Sequence, residues 1–202
     1  MLKLNLLKSI LCLVILSPVI KAQTEKDIEV VRTAFLTATQ NADSLDFQKY
    51  YFDVFPKTFE SFRNTFGYFE NRDPQQTYAG GLSTDADKYI SLFFRLKNVP
   101  DAEFYTKLID LGINGQWHKD AENKLQSGMR KKVLQNPKMV FELLKNETDA
   151  DVESFWFFFF SGKHEPYKTI PEKLSELRSG NNKVYYLLQK GFEAASKANA
   201  HK

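Results

Sequence analysis

Ser154-Phe155-Trp156-Phe157-Phe158-Phe159-Phe160-Ser161 is the stretch that decides how this chain folds. Just upstream, Thr148 with Asp149 and Asp151 has the chemistry of a helix start: a hydroxyl for the cap and acids for the first turn. On a helix each residue turns about 100°, so six consecutive aromatics cover the whole circumference and leave no polar face. Such a segment is either buried on all sides or buried on one side and adhesive on the other. Six aromatic rings offer on the order of 900–1,500 Å² to bury, which suits the centre of a core. We therefore expect a central core helix, with a partner-binding ridge as the functional alternative. A helix lying on a membrane would need a charged face, which this stretch lacks.

Helical periodicity extends in both directions. Upstream, Ile28, Val31, Phe35 and Ala38 recur at threes and fours behind Thr24 and Asp27. Ser44 opens a short helix that Pro56 ends, and Pro56 starts the next, in which Phe59, Phe62 and Phe66 share a face before Gly67. Residues Glu70 to Leu82 form the longest loop. A helix is predicted from Thr84 to Leu96, turning Tyr89, Ile90, Phe93, Phe94 and Leu96 inward, and another from Pro100 with Phe104, Leu108 and Leu111. Asn114-Gly115 has no alternating strand on either side, so it reads as a helix–helix turn. Ala121, Leu125, Met129 and Val133 line a further helix, with Arg130, Lys131 and Lys132 in its last turns, where cations complement its dipole. Short helices from Pro137 and Pro171 and a final one from Asn182 complete the chain. The fold class is all-α: a compact multi-helix domain of about ten short segments with no convincing strand. Thr84-Asp85-Ala86-Asp87 recurs as Thr148-Asp149-Ala150-Asp151. A duplicated unit would give a short α-solenoid or paired helical hairpins. Shared capping chemistry is the simpler account.

Met1 to Ala22 stands apart. Lys3 and Lys8 precede a 12-residue uncharged run from Ser9 to Ile20, and Ala22 supplies a small residue at the expected cleavage position. We read residues 1–22 as a secretory signal peptide cut before Gln23, because a run this short falls below the about 20 residues that span a membrane. Residues 23–202 are then one domain, periplasmic or secreted, with no integral membrane segment after cleavage. The signal carries three of the 28 Lys+Arg and none of the 25 Asp+Glu, so the mature chain has no net charge. A basic footprint for nucleic acid is therefore absent. It also takes with it the one Cys of the chain, leaving a mature protein with neither disulfide nor thiol chemistry. The 18 Phe, 9 Tyr and 2 Trp all remain in the mature chain and must hold it without staples.

No nucleotide, phosphate-loop or nucleophile-elbow motif is present, and no cofactor or catalytic residue is assigned. The three His fall at 118, 164 and 201, with no spacing that builds zinc sites, so no metal is expected. His164, in the loop after the aromatic helix, reads first as a cap for that helix's last carbonyls. Two short stretches can form a contact surface if the fold brings them together: Trp117-His118, and Lys163-His164-Glu165 with Tyr167. In general character the chain resembles small exported bacterial helical proteins, a group that includes immunity proteins neutralising toxins in the periplasm. No motif carries that resemblance and no residue role follows from it. The expected function is a non-catalytic module that binds another protein, such as a toxin or enzyme it inhibits. The rivals are a hydrolase-like enzyme using a His/carboxylate pair and a carrier of small hydrophobic ligands.

Overall fold

The computed structural model describes residues 26–69, 78–118, 120–162, 167–180 and 182–200. The signal segment 1–22 and Thr24 lie outside them. Among the described residues the chain forms ten α-helices: α1 (26–40), α2 (Leu45–Val54), α3 (Phe59–Phe66), α4 (Ala86–Phe93), α5 (Asp101–Asp110), α6 (Ala121–Gln135), α7 (Pro137–Leu144), α8 (Asp149–Phe160), α9 (Glu172–Ser175) and α10 (Asn182–Ala200). The fold is all-α. It also contains one short antiparallel pairing, β1 (Tyr68–Phe69) with β2 (Tyr78–Ala79), in register Tyr68 to Ala79 and Phe69 to Tyr78. The sequence pattern gave no sign of it, because two residues are too few to show alternation.

Capping chemistry sets several boundaries. Ser44 caps α2 and Thr148 caps α8, each hydroxyl accepting from a backbone N–H of the first turn. The start expected at Pro56 is corrected to Thr58, which forms a reciprocal capping box with Ser61, while Pro56 sits in the connection. The helix expected from Thr84 to Leu96 is corrected to Ala86–Phe93. Thr84 lies within a 3-10 turn (Ser83–Asp85) and caps nothing, whereas Thr148 does. The two matching tetrapeptides therefore adopt different structures.

Of the six aromatics in α8, Phe155, Trp156, Phe158, Phe159 and Phe160 are buried, and Phe157 is half-buried. Trp156 stacks its neighbours Phe155 and Phe159 edge-on at 5.0 and 5.4 Å. A second aromatic cluster, built by Phe52, Phe55, Phe93 and Phe104, joins the first where Phe59 meets Phe158 at 5.3 Å. The interior is thus a continuous aromatic core with α8 in it, not a ridge on the surface.

The main partner of α8 is α10, and they run in the same direction. Asp149 pairs with Lys183 at 2.5 Å, Glu153 with Lys190 at 3.7 Å, Phe160 with Phe192 at 5.0 Å, and Gly162 N–H with Asn199 Oδ1 at 3.2 Å. These two are not arms of a hairpin; α9 lies in the crossover between them. Gly191 permits the approach, since a Cβ there would lie 2.6 Å from Trp156 Cβ and 2.8 Å from the Phe157 backbone nitrogen. Lys107 of α5 is buried and donates to the carbonyls of Phe52 and Phe55, closing the C-terminus of α2.

Candidate binding surface

The C-terminal end of α8 gathers several residues that sequence reasoning did not connect. Its last carbonyls need donors, and two side chains one turn apart on α6 supply them. Arg130 donates from Nε to Phe159 O at 2.7 Å and from Nη2 to Ser161 O at 2.8 Å. Gln126, buried, donates to Ser161 O at 2.7 Å and also to Phe158 O. Arg130 was expected to complement the dipole of its own helix; it instead caps a neighbouring one. The capping role assigned to His164 concerns a residue outside the described set, as do Lys163 and Glu165. Burial lowers the pKa of the Arg130 guanidinium, with Tyr167 acting in the opposite sense. Tyr167 lies flat against Phe159 at 5.9 Å and edge-on to Phe160 at 6.0 Å, with its ring half exposed.

The chain then turns at Gly162, whose φ of +146° suits glycine alone. A Cβ at this position would sit 3.3 Å from Trp117 Cδ1 and 3.7 Å from Gln126 Oε1. The half-buried Trp117 therefore lies against Gly162 at the end of α8, while Lys163, His164 and Glu165 of the second nominated stretch lie outside the described residues. Tyr167 reaches the same end of the helix from the far side of the loop.

His118 takes part in a different arrangement. Asp120, the residue before α6, has φ +60° and ψ −108°, a strained conformation for a side-chain-bearing residue. In the first turn of α6 Glu122 is 1% exposed, and His118 acts on it electrostatically. Neither Glu122 carboxylate oxygen has a hydrogen-bond partner among the described residues, and neither does His118 Nδ1. Arg63 Nε on α3 is 3.8 Å from Glu122 Oε1. Burial raises the Glu122 pKa above the usual carboxyl range; its own backbone N–H, His118 and Arg63 oppose that shift. The spacing of four between His118 and Glu122 was visible in the sequence, but only burial distinguishes Glu122 from the other acids at helix starts. As chemistry, this is a buried carboxylate with a guanidinium beside it and an imidazole near enough to act on it electrostatically. Among the described residues, no group of three His, Cys, Asp or Glu side chains could hold a metal ion.

No family model, curated protein or solved structure matches the chain. Among the described residues no helix is long and apolar enough to cross a membrane.

Proposed function

We propose that the protein is an exported, non-catalytic module that binds another protein, in the manner of an inhibitor or immunity protein, through the face at the C-terminal end of α8. The observation that carries this reading is the meeting of Trp117 with Gly162, which sets Trp117 and Tyr167 at one end of a helix that Gln126 and Arg130 hold firmly. Half-exposed aromatics on a rigid support are the residues that interfaces use as anchors, because little side-chain entropy is lost when they bind. Five of the six α8 aromatics are buried in the core, which leaves α8 as scaffold and its end as the binding face.

A photo-cross-linking phenylalanine placed at position 117 or 167 in the native host tests this. The expected result is one discrete adduct, competed away by excess wild-type protein and not by the Trp117→Ala/Tyr167→Ala double variant. No adduct, or the same adduct from a control position at Glu29 on α1, refutes it.

The buried Glu122, with His118 acting on it electrostatically, favours a second reading, a hydrolase-like enzyme. On that reading His118→Ala abolishes turnover of a substrate found by screening, while cross-linking at 117 is unchanged.

A further inference from the structure

One face of the molecule combines recognition chemistry that the reading above does not use. A groove of about 570 Å³ runs between α3 and the turn that follows α5. That volume falls in the range of sites that take an organic ligand. Phe59 and Ile113 supply its apolar lining. Three side-chain amides, of Asn64, Asn114 and Gln116, border it, and none of them makes a hydrogen bond within the described residues. Each amide carries both donors and an acceptor, the complement of a peptide backbone, which presents an N–H and a C=O at every residue.

Charge supplies the second observation. Glu60 and Asp110 face the same groove, and neither carboxylate has an ion pair or hydrogen bond among the described residues. The cation on the groove wall, Arg63, lies beside the buried Glu122 carboxylate, so that pair adds no net charge. Lys107 lies near Asp110, but its ammonium is turned to the carbonyls at the end of α2. Asp110 is half-buried, and burial raises its pKa, as expected of a carboxylate short of a cationic partner. The groove is therefore negative, amide-bordered and apolar at its base.

We propose that this groove binds an extended, Lys/Arg-bearing segment of the protein partner, with Glu60 and Asp110 receiving its cationic side chains and the three amides its backbone. Arginine suits both carboxylates through paired N–H donors. The inference rests on the protein-binding reading, and Gln116 joins the groove directly to Trp117, so one partner can span both.

Fluorescence anisotropy on the full-length protein tests the proposal, using a labelled peptide that alternates glycine and arginine and a second with glutamate in place of arginine. The arginine peptide is expected to bind saturably and more weakly as salt rises. Glu60→Gln/Asp110→Asn is expected to weaken it about tenfold, the loss typical of truncating charged contacts at an interface. Glu60 is exposed, so Glu60→Gln alone preserves the fold and is expected to give a partial loss if the double variant fails to fold. Equal affinity for both peptides, an affinity unmoved by the variants, or no saturable binding overturns the proposal. Competition by spermidine at the peptide's own affinity overturns the assignment to a peptide. Cross-linking at Trp117 that persists in any of these cases shows that the groove has failed and the binding module has not.

Discussion

Replacing Arg130 by Met tests the end of α8, on which the proposed surface is built. Arg130 makes two charge-assisted hydrogen bonds, to Phe159 O and Ser161 O. Bonds of this kind are worth about 1.5–3 kcal/mol each, and a buried carbonyl left without a partner costs about 1–3 kcal/mol. Ser161 O keeps Gln126 after the substitution, so only Phe159 O loses its side-chain donor. The expected loss is therefore about 2–4 kcal/mol, set by one orphaned carbonyl and one weakened site. Had Arg130 only complemented its own helix's dipole, the loss would be about 0.3–1 kcal/mol, and Arg130→Lys would restore it fully. Because the site needs a forked donor, Lys is expected to restore only part. Gln126→Leu combined with Arg130→Met removes both side-chain donors to Ser161 O. The double variant should then lose about 1 kcal/mol more than the sum of the singles. Urea unfolding of the wild type and the four variants, Gln126→Leu alone included, is read as a shift in midpoint at unchanged slope. A loss below about 0.5 kcal/mol for Arg130→Met, or full rescue by Lys, refutes the cross-helix cap.

Three further outcomes follow from the same structure. Glu122 holds its proton more tightly folded than unfolded, so its contribution is present at low pH and is lost as pH rises from 4.5 through its raised value. Glu122→Gln should therefore raise the urea midpoint at pH 8 and leave it little changed at pH 4; a drop at pH 8 would show that the ionised carboxylate is a net stabiliser through Arg63. Gly191→Ala gains up to about 1 kcal/mol of helix propensity but forces a methyl against Trp156 and the Phe157 backbone, at about 1–3 kcal/mol or more, so the melting temperature should fall. An unchanged or higher one would mean that α8 and α10 part easily. Intact mass of protein from the native host's exported fraction should correspond to a chain beginning at or within about two residues of Gln23, and a mass retaining Met1–Ala22 would overturn the export reading.

The helices were legible because their information is local. Apolar residues at threes and fours placed Val31, Ala38, Phe62, Phe66, Leu125, Met129 and Val133 inside, and all are buried. Six consecutive aromatics implied burial on every side, and five of the six are buried. Errors fell at boundaries where two local signals competed. Pro56 and Thr58 are both plausible helix starts, and the hydroxyl that completes a capping box with Ser61 prevailed. Thr84 is followed by the same three residues as Thr148, yet the chain enters α4 through a 3-10 turn that leaves its hydroxyl out of the cap.

Trp117 and Tyr167 were named from the sequence, but the donors that hold the end of α8 were illegible for a related reason: their interactions join residues far apart in the chain. Gln126 and Arg130 show an ordinary i,i+4 polar pair, and sequence alone cannot say that the carbonyls they serve are 29–35 positions away. Lys107 is likewise an unremarked lysine until it is seen 52 positions from the carbonyl of Phe55. Both cases share one cause. Helices α2 and α8 end in aromatic segments that must stay buried, so their last carbonyls cannot turn to water, and neither ends on a glycine cap. A buried helix end without water requires donors from elsewhere, and long side chains with charged or amide heads reach furthest from a neighbouring helix. An aromatic segment that runs to the last turn of a buried helix is therefore itself a sequence signal: it requires a Lys, Arg or Gln from another helix, though it cannot say which. In this chain Gln126 and Arg130 hold the last carbonyls of α8, and Trp117 and Tyr167 pack beside them at Gly162 and Phe159, so the requirement that completes the core lies next to the proposed surface.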